Sequence, residues 1–502
     1  MKLTRRGVVG GTLILAAEPM LAPLARAASE PLSLAISTSI VALDPMMMTS
    51  GDEYIYGNLV FNGLTRIRED LTVQPDLAES WTHSDDLKQW TFRLRQGVKF
   101  HNGRELDSED VAAFFKRIID PKNAAPSRSN YTMVTNVTAP DRYSVTFDLS
   151  YPYGGFADIM ADRQVKITPR DLVSELQRKP IGTGPFMFQS YTPGDRMVLV
   201  KNPDYFEKGL PKLDGIVIRV IPEPSVKAAA LKSGDIDIIW NLPLEQVKPL
   251  GSDPDLRVES VATGSWDAAI MNNLIPPFND VRVRRAFQMA IDKRDVVDLT
   301  LFGEGAPTIS PIPPTSPFFA HDIVIPKADP AAARKLLAEA GHPDGVSITL
   351  ILPEGRTQRE RLGVTLQQLA KPAGFDIAVK RIPLSSYSAE VSGKAPFYID
   401  GYFARPTVDT STYPFLHTDG SWNETLWHYK DAKVDASLEA ARQTADPEKQ
   451  KAAYIAMQHA LNDDPAGFFA YSVNYACAYR KSVQNVKTHP MMWFDLRYAT
   501  KA

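Results

Sequence analysis

Cysteine is nearly missing from this sequence. Cys477 stands alone in 502 residues, so neither an intrachain disulfide nor a multi-cysteine metal site can form. Histidine is also scarce, with eight residues and no His-x-x-x-His pair; His417 and His428 are too awkwardly spaced for one helix face, and no metal or other cofactor is expected. Neither charge sign dominates. The 56 basic and 59 acidic side chains leave a formal charge of -3, which speaks against a nucleic-acid or anionic-membrane partner. Beyond the N-terminus no stretch approaches the roughly 18 consecutive apolar residues that suggest a membrane span. Catalytic signatures are missing as well: no Gly-x-Ser-x-Gly elbow, no His-Glu-x-x-His, no phosphate-cradling Gly-x-x-x-x-Gly-Lys-Ser/Thr. Gly182-Thr183-Gly184 lacks the third glycine of a dinucleotide fingerprint and runs into Pro185. A secreted hydrolase is left as an alternative that no motif supports.

What is present is a globular composition, 44% hydrophobic and 23% charged, with length enough for two or three domains. The 39 prolines are scattered between apolar runs rather than gathered into a low-complexity tract. The N-terminus reads as an export signal over residues 1–28. Lys2, Arg5 and Arg6 form a basic head, Gly7 to Ala17 an apolar run, and Ala25-Arg26-Ala27 a small-residue exit with cleavage near Ala27-Ala28. Thr4-Arg5-Arg6-Gly7-Val8-Val9 fits either a twin-arginine signal or an ordinary secretory head that contains two arginines. With no cysteine near the cleavage point a lipid anchor is excluded, and a soluble periplasmic protein is expected.

Strand alternation marks Leu32 to Ile36, Trp90 to Arg95 and Ser144 to Leu149. Between the last two, Asp107-Ser108-Glu109-Asp110 predicts the start of a helix through Val111, Phe114, Phe115 and Ile118. Asp329-Pro330 and Asp446-Pro447 are capped helix starts with proline at the first helical position, and Gly341 ends the former helix. A strand over Ser347 to Leu352, a helix from about Gln358 to Ala370 and a strand over Asp376 to Ile382 predict a parallel βαβ unit. The class is α/β, multi-domain and compact.

Pro75 to Trp81, Trp90 to Gly103, Gly182 to Phe186, Asn202 to Phe206, Leu231 to Asp237 and Pro277 to Ala286 followed by Ala290 to Lys293 resemble, in this order, the blocks of one family, the family 5 extracellular solute-binding proteins, whose members include dipeptide, oligopeptide and nickel binders. Most of these residues read as structural: a tight reversal at Gly182–Pro185, core positions at Trp81 and Phe100, ion pairs at a helix start for Arg282, Arg284 and Arg285. The resemblance implies the type II periplasmic binding protein fold, two lobes closing on a cleft. Lobe I would combine 29–58, 180–268 and 476–502, with 59–179 as an extra domain attached to it, and lobe II would be 269–475. It implies a binding component of an ABC importer, not an enzyme, that hands its solute to inner-membrane permease subunits. A monomer is expected, since the permease must meet both lobes.

A buried zwitterionic peptide needs a carboxylate for its amine and a guanidinium for its carboxylate. In peptide-binding members an aspartate after a Gly-aromatic strand end meets the amine. In Gly401-Tyr402-Phe403 to Asp409 that resemblance points to Asp409, with a loop-capping aspartate as the competing reading. Arg356 resembles the position from which dipeptide binders reach the ligand carboxylate, with a solvated loop arginine as the competing reading, and Arg405 is a further candidate. Trp422, Asn423 and Trp427 could form a stacking and hydrogen-bonding wall, with core tryptophan as the alternative. Trp266, where relatives cross between lobes, and Tyr402 complete the candidate set. An oligosaccharide, an opine or another solute is the alternative cargo.

Overall fold

The computed structural model describes residues 30–502; the export signal expected over 1–28 lies outside the described residues. Among the described residues no helix is long and apolar enough to cross a membrane.

The extra domain has its own core. Strands Ala78–His83, Gln89–Leu94, Ser144–Leu149 and Val134–Asp141 form, in that order, an antiparallel sheet. Helix Ser108–Ile119 covers it because its acidic start and apolar stripe both have targets. Asp107 and Asp110 cap each other's backbone in a reciprocal box, and Phe114, Phe115 and Ile118 are buried. Phe115 meets Phe147 of the sheet edge-on at 4.8 Å between ring centres. Phe100 is core as expected, while Trp81 is only partly buried against it.

Everything else hangs on one mixed sheet of eleven strands. From one edge it runs Phe375–Pro383, Val346–Glu354, Phe397–Tyr402, Leu256–Met271, Phe468–Arg480, Ile238–Ile239, Leu32–Ile36, Gly215–Val220, Arg196–Lys201 and Phe186–Thr192. Gly305–Ala306 pairs beside Phe468–Arg480. The expected βαβ unit is present: Val346–Glu354 and Phe375–Pro383 pair in parallel across helix Thr357–Ala370. Helix Pro330–Glu339 starts on the Asp329 cap and Pro447–Asp463 on the Asp446 cap. Arg282 and Arg284 pair with Asp280 and Asp464.

Two long antiparallel strands, Leu256–Met271 and Phe468–Arg480, belong to both lobes. Their ladder shifts register twice: a smaller shift lies between the Asp267–Tyr471 and Ala268–Phe469 pairs, and at the larger one Ala262 faces Asn474 and the next pair is Trp266 with Ser472, so residues 263–265 stand against Val473 alone. This is a bulge, which twists and bends a strand pair. Thr263 Oγ1 donates to Val473 O at 2.7 Å and Ser265 N to Thr263 Oγ1 at 3.0 Å, so the extra residues are held. On one side of the break Tyr475, Cys477 and Tyr479 join a core with Leu32, Leu34, Ile216 and Ile238. On the other, Trp266, Ala268 and Ile270 pack with Tyr398, Trp427 and Phe469. The two groups of cores thus part at 263–265 and 473–474. Cys477 is fully buried, and burial pushes its thiol up to about 11, which makes it inert.

The Gly182–Pro185 block turns out to be a close approach of backbones. A Cβ on Gly182 would lie 2.1 Å from Val60 O, and one on Gly184 2.4 Å from Val60 C. His101, from the Trp90 to Gly103 block, locks this segment: Gly182 N donates to His101 Nδ1 at 3.3 Å and Nε2 lies 3.0 Å from Gly184 O. Since Nδ1 accepts, Nε2 carries the proton and the ring is neutral.

Candidate functional site

Where the two groups of cores face each other lies a cavity of about 750 Å³. Trp266, Arg356, Tyr402 and Arg405 line it from the lobe II side, so four of the eight residues picked from the sequence share one wall. The first lobe and the segment 162–164 supply the opposite wall.

Strand order explains the lobe II wall. Trp266 pairs with Tyr402 and Asp267 with Gly401 in the central ladder, and a Cβ on Gly401 would lie 2.0 Å from Asp267 Oδ1. Arg359, from the helix that follows Arg356, fills this spot. It donates to Asp267 at 2.9 Å and Asp400 at 2.8 Å, and also bonds Gly401 O. Gln358 and Tyr471 donate to the other Asp267 oxygen, at 2.7 and 3.2 Å. Asp267 is therefore spent on the scaffold, and the loops carrying Arg356 and residues 403–406 are fixed to the sheet beside it. Behind the wall, Tyr402 packs against Trp266, Phe415 and Trp422 at 4.7 to 5.3 Å between ring centres.

Charge in the cavity wall is uneven, with six arginine or lysine side chains against three aspartate or glutamate. Three of the cations are occupied. Lys227 donates to Ser37 Oγ at 2.7 Å, Arg359 is paired as above, and Arg361 donates to Thr300 O at 2.9 Å. Among the described residues, Arg163, Arg356 and Arg405 make no ion pair. Arg163 is 7% exposed, lies against the Tyr54 ring at 4.9 Å and bonds Ala404 O. Burial above all depresses its pKa, and the Arg405 guanidinium adds to that. Burial lowers Arg356 too, with the neighbouring Arg359 second. Arg405 Nε is buried without an acceptor. Asp162 is buried in the opposite wall, next to Arg163, its Oδ1 accepting from Gln164 N at 3.2 Å.

The other four candidates lie elsewhere. Asp409 does not line the cavity: Arg442 holds its carboxylate at 2.7 and 3.1 Å, and Tyr153 of the extra domain donates to it at 2.9 Å. That contact joins extra domain to lobe II, and Gly154 N adds a bond to Arg442 O at 2.9 Å. Asn423 is consumed by the backbone of its own loop, donating to His417 O and Tyr429 O and accepting from Tyr429 N. Trp427 is fully buried among Trp266 and Phe469. Trp422 backs Tyr402 and Phe415 rather than facing the cavity. The core reading thus describes Trp427, while Trp422 is partly buried against the same core. His417 lies near Glu439, His428 Nε2 near Gly393 O, and among the described residues no group of three or more His, Cys, Asp or Glu is placed to hold a metal ion.

Arg163 and Asp162 were missed from sequence. Asp162-Arg163-Gln164, then Lys166, resembles a solvated loop, yet all four are buried. The only hint was their place between apolar Met160-Ala161 and Ile167.

Comparison with known proteins bears on this cleft. The profile of the bacterial extracellular solute-binding proteins, family 5 Middle, matches residues 72–423. The glutathione-binding protein GsiB of Salmonella paratyphi A is 29% identical over 442 residues, covering 85% of this chain and 86% of that protein. The oligopeptide-binding protein AppA of Bacillus subtilis, solved with a nonapeptide, superposes with a TM-score of 0.78 at 25% identity, over 94% of this chain and 99% of that one. The binding protein AgaA of A. tumefaciens R10, solved with agropinic acid, superposes with a TM-score of 0.80 at 24% identity, over 94% of this chain and 99% of that one.

Proposed function

Because the chain belongs to the bacterial extracellular solute-binding proteins of family 5, we propose that it captures a peptide-like solute between its lobes and delivers it to the permease of an ABC importer. One observation carries the reading: Arg356 and Arg405, guanidiniums without an ion pair, stand in the wall of a cavity between the lobes. A guanidinium matches the planar carboxylate of a peptide terminus with two parallel hydrogen bonds. Asp162, in the opposite wall, is the counterpart for an amine, in place of Asp409. Tyr402 and Trp266 offer apolar surface between them. The glutathione binder among the relatives supports a short peptide as cargo. The agropinic acid complex among the structural neighbours makes an opine the specific rival.

The protein works, on this reading, as a periplasmic monomer that binds without turnover. The bulge at 263–265 is where the lobes would flex, since it lies in the ladder common to both.

Native mass spectrometry of the mature protein, drawn gently from a periplasmic extract of its host, tests the cargo. A bound mass matching a short peptide, recovered unchanged, supports the proposal, and its loss in an Arg356→Ala variant ties it to this wall. A sugar- or opine-like mass would sink the peptide assignment.

A further inference from the structure

The cations left over in the cleft say more about the solute than that it has a carboxylate. Arg163 reaches lobe II from the opposite wall, and its bond to Ala404 O sets it one peptide unit from Arg405. Two guanidiniums from opposite sides therefore line one cavity, near enough for the Arg405 charge to lower the pKa of Arg163. Arg163 is almost wholly buried and Arg405 Nε has no acceptor, so neither charge can rely on bulk water once solute fills the space. Asp162 is the nearby carboxylate, and a single carboxylate cannot neutralise two guanidiniums while it also accepts from Gln164 N. Arg356 stands apart from this pair, at the start of helix Thr357–Ala370, and it too lacks a partner.

We propose that the solute carries two carboxylates, one clamped between Arg163 and Arg405 across the cleft and the other held by Arg356. This deepens the reading of the cleft as the solute site and rests on it. The solute is thereby an acidic peptide-like molecule, with an acid group besides its terminus. A neutral dipeptide would satisfy one of the two positions and leave like charges facing each other in the closed cavity. The clamp also gives closure a cause, because an acid group between Arg163 and Arg405 attracts both walls at once.

Calorimetry and thermal shift on the mature protein decide this with defined probes: the straight-chain dicarboxylates glutarate, adipate and pimelate, with the monoamide and diamide of each. The expected result is that a diacid of one length binds, that its monoamide binds at least about tenfold more weakly, and that its diamide does not bind. Arg405→Gln is expected to erase the difference between diacid and monoamide without moving the melting temperature of the unliganded protein, and Arg356→Gln to do the same. Arg163 is too buried to be the primary variant. A monoamide or diamide that binds as well as the diacid overturns the proposal, as does failure of every diacid to bind. A captured host solute with a single acid group also overturns it while leaving the importer reading intact. Diacids that bind while nothing is captured from the host would instead count against the importer reading.

Discussion

Asp409 shows how a side chain with the right type and place can still belong to the scaffold. Its partner Arg442 lies thirty-three residues further on and the two side chains are 8% and 10% exposed, so Asp409→Asn would leave a buried guanidinium half paired. A loss of about 3–5 kcal/mol is expected, read as a lower denaturant midpoint, with solute binding by the folded fraction unchanged. An acid after a strand end was legible in the sequence; the distant arginine that takes it was not. Arg356 could be chosen because it resembles the position from which dipeptide binders reach the ligand carboxylate, with Arg405 as a further candidate, whereas Arg163 sat in a run whose polarity suggested solvent. His101 supplies a prediction in pH. Burial drives its pKa down from 6.5 to about 4, so the unfolded chain binds the extra proton first. Its contribution is full above about pH 6.5 and is lost as pH falls toward 4, costing about 2 kcal/mol by pH 5. Other buried groups titrate in the opposite sense, among them Asp158, raised to about 6 by burial. The test is therefore a difference: the melting temperature of the wild type should fall relative to His101→Gln between pH 7.5 and 5.

Among elements, capped helices were the most legible, because Asp107, Asp329 and Asp446 act on backbone within three residues of themselves. The βαβ unit could be read for the same reason, its three pieces being contiguous. The bulge could not, since it exists only relative to a strand two hundred residues away. The Gly182–Pro185 segment was read as a reversal, but its glycines serve contact with residues 59–61. Gly182→Ala should accordingly cost more than the roughly 1 kcal/mol of an ordinary glycine effect, on the order of 2–3 kcal/mol as overpacking against rigid backbone, measured by denaturant titration. Between extra domain and lobe II, Tyr153→Phe deletes one bond to Asp409 and spares Arg442. A loss of about 1 kcal/mol is expected, together with faster hydrogen exchange at Gly154, whose amide bonds Arg442 O.

For the whole molecule, the decisive fact is that eleven strands make one sheet. Lobes joined by a covalent linker alone could melt apart, but these share two strands inside a continuous ladder. A single calorimetric transition is expected, shifted upward by cognate solute as RT ln(1 + [L]/Kd), about 2.7 kcal/mol at a hundredfold excess over Kd. Two resolved transitions would show that the bulge uncouples the halves.

The strand Phe468–Arg480 also carries a consequence for the birth of the protein. It pairs with Ile238–Ile239 on one side and with Leu256–Met271 on the other, so the first lobe waits for the last thirty-five residues to be made. A ribosome that has released 450 residues holds a chain whose extra domain can fold while its main sheet lacks a middle strand. Premature stops in this stretch should yield aggregates rather than a smaller working binder, because the order of synthesis withholds the middle strand of the sheet until nearly the whole chain is made.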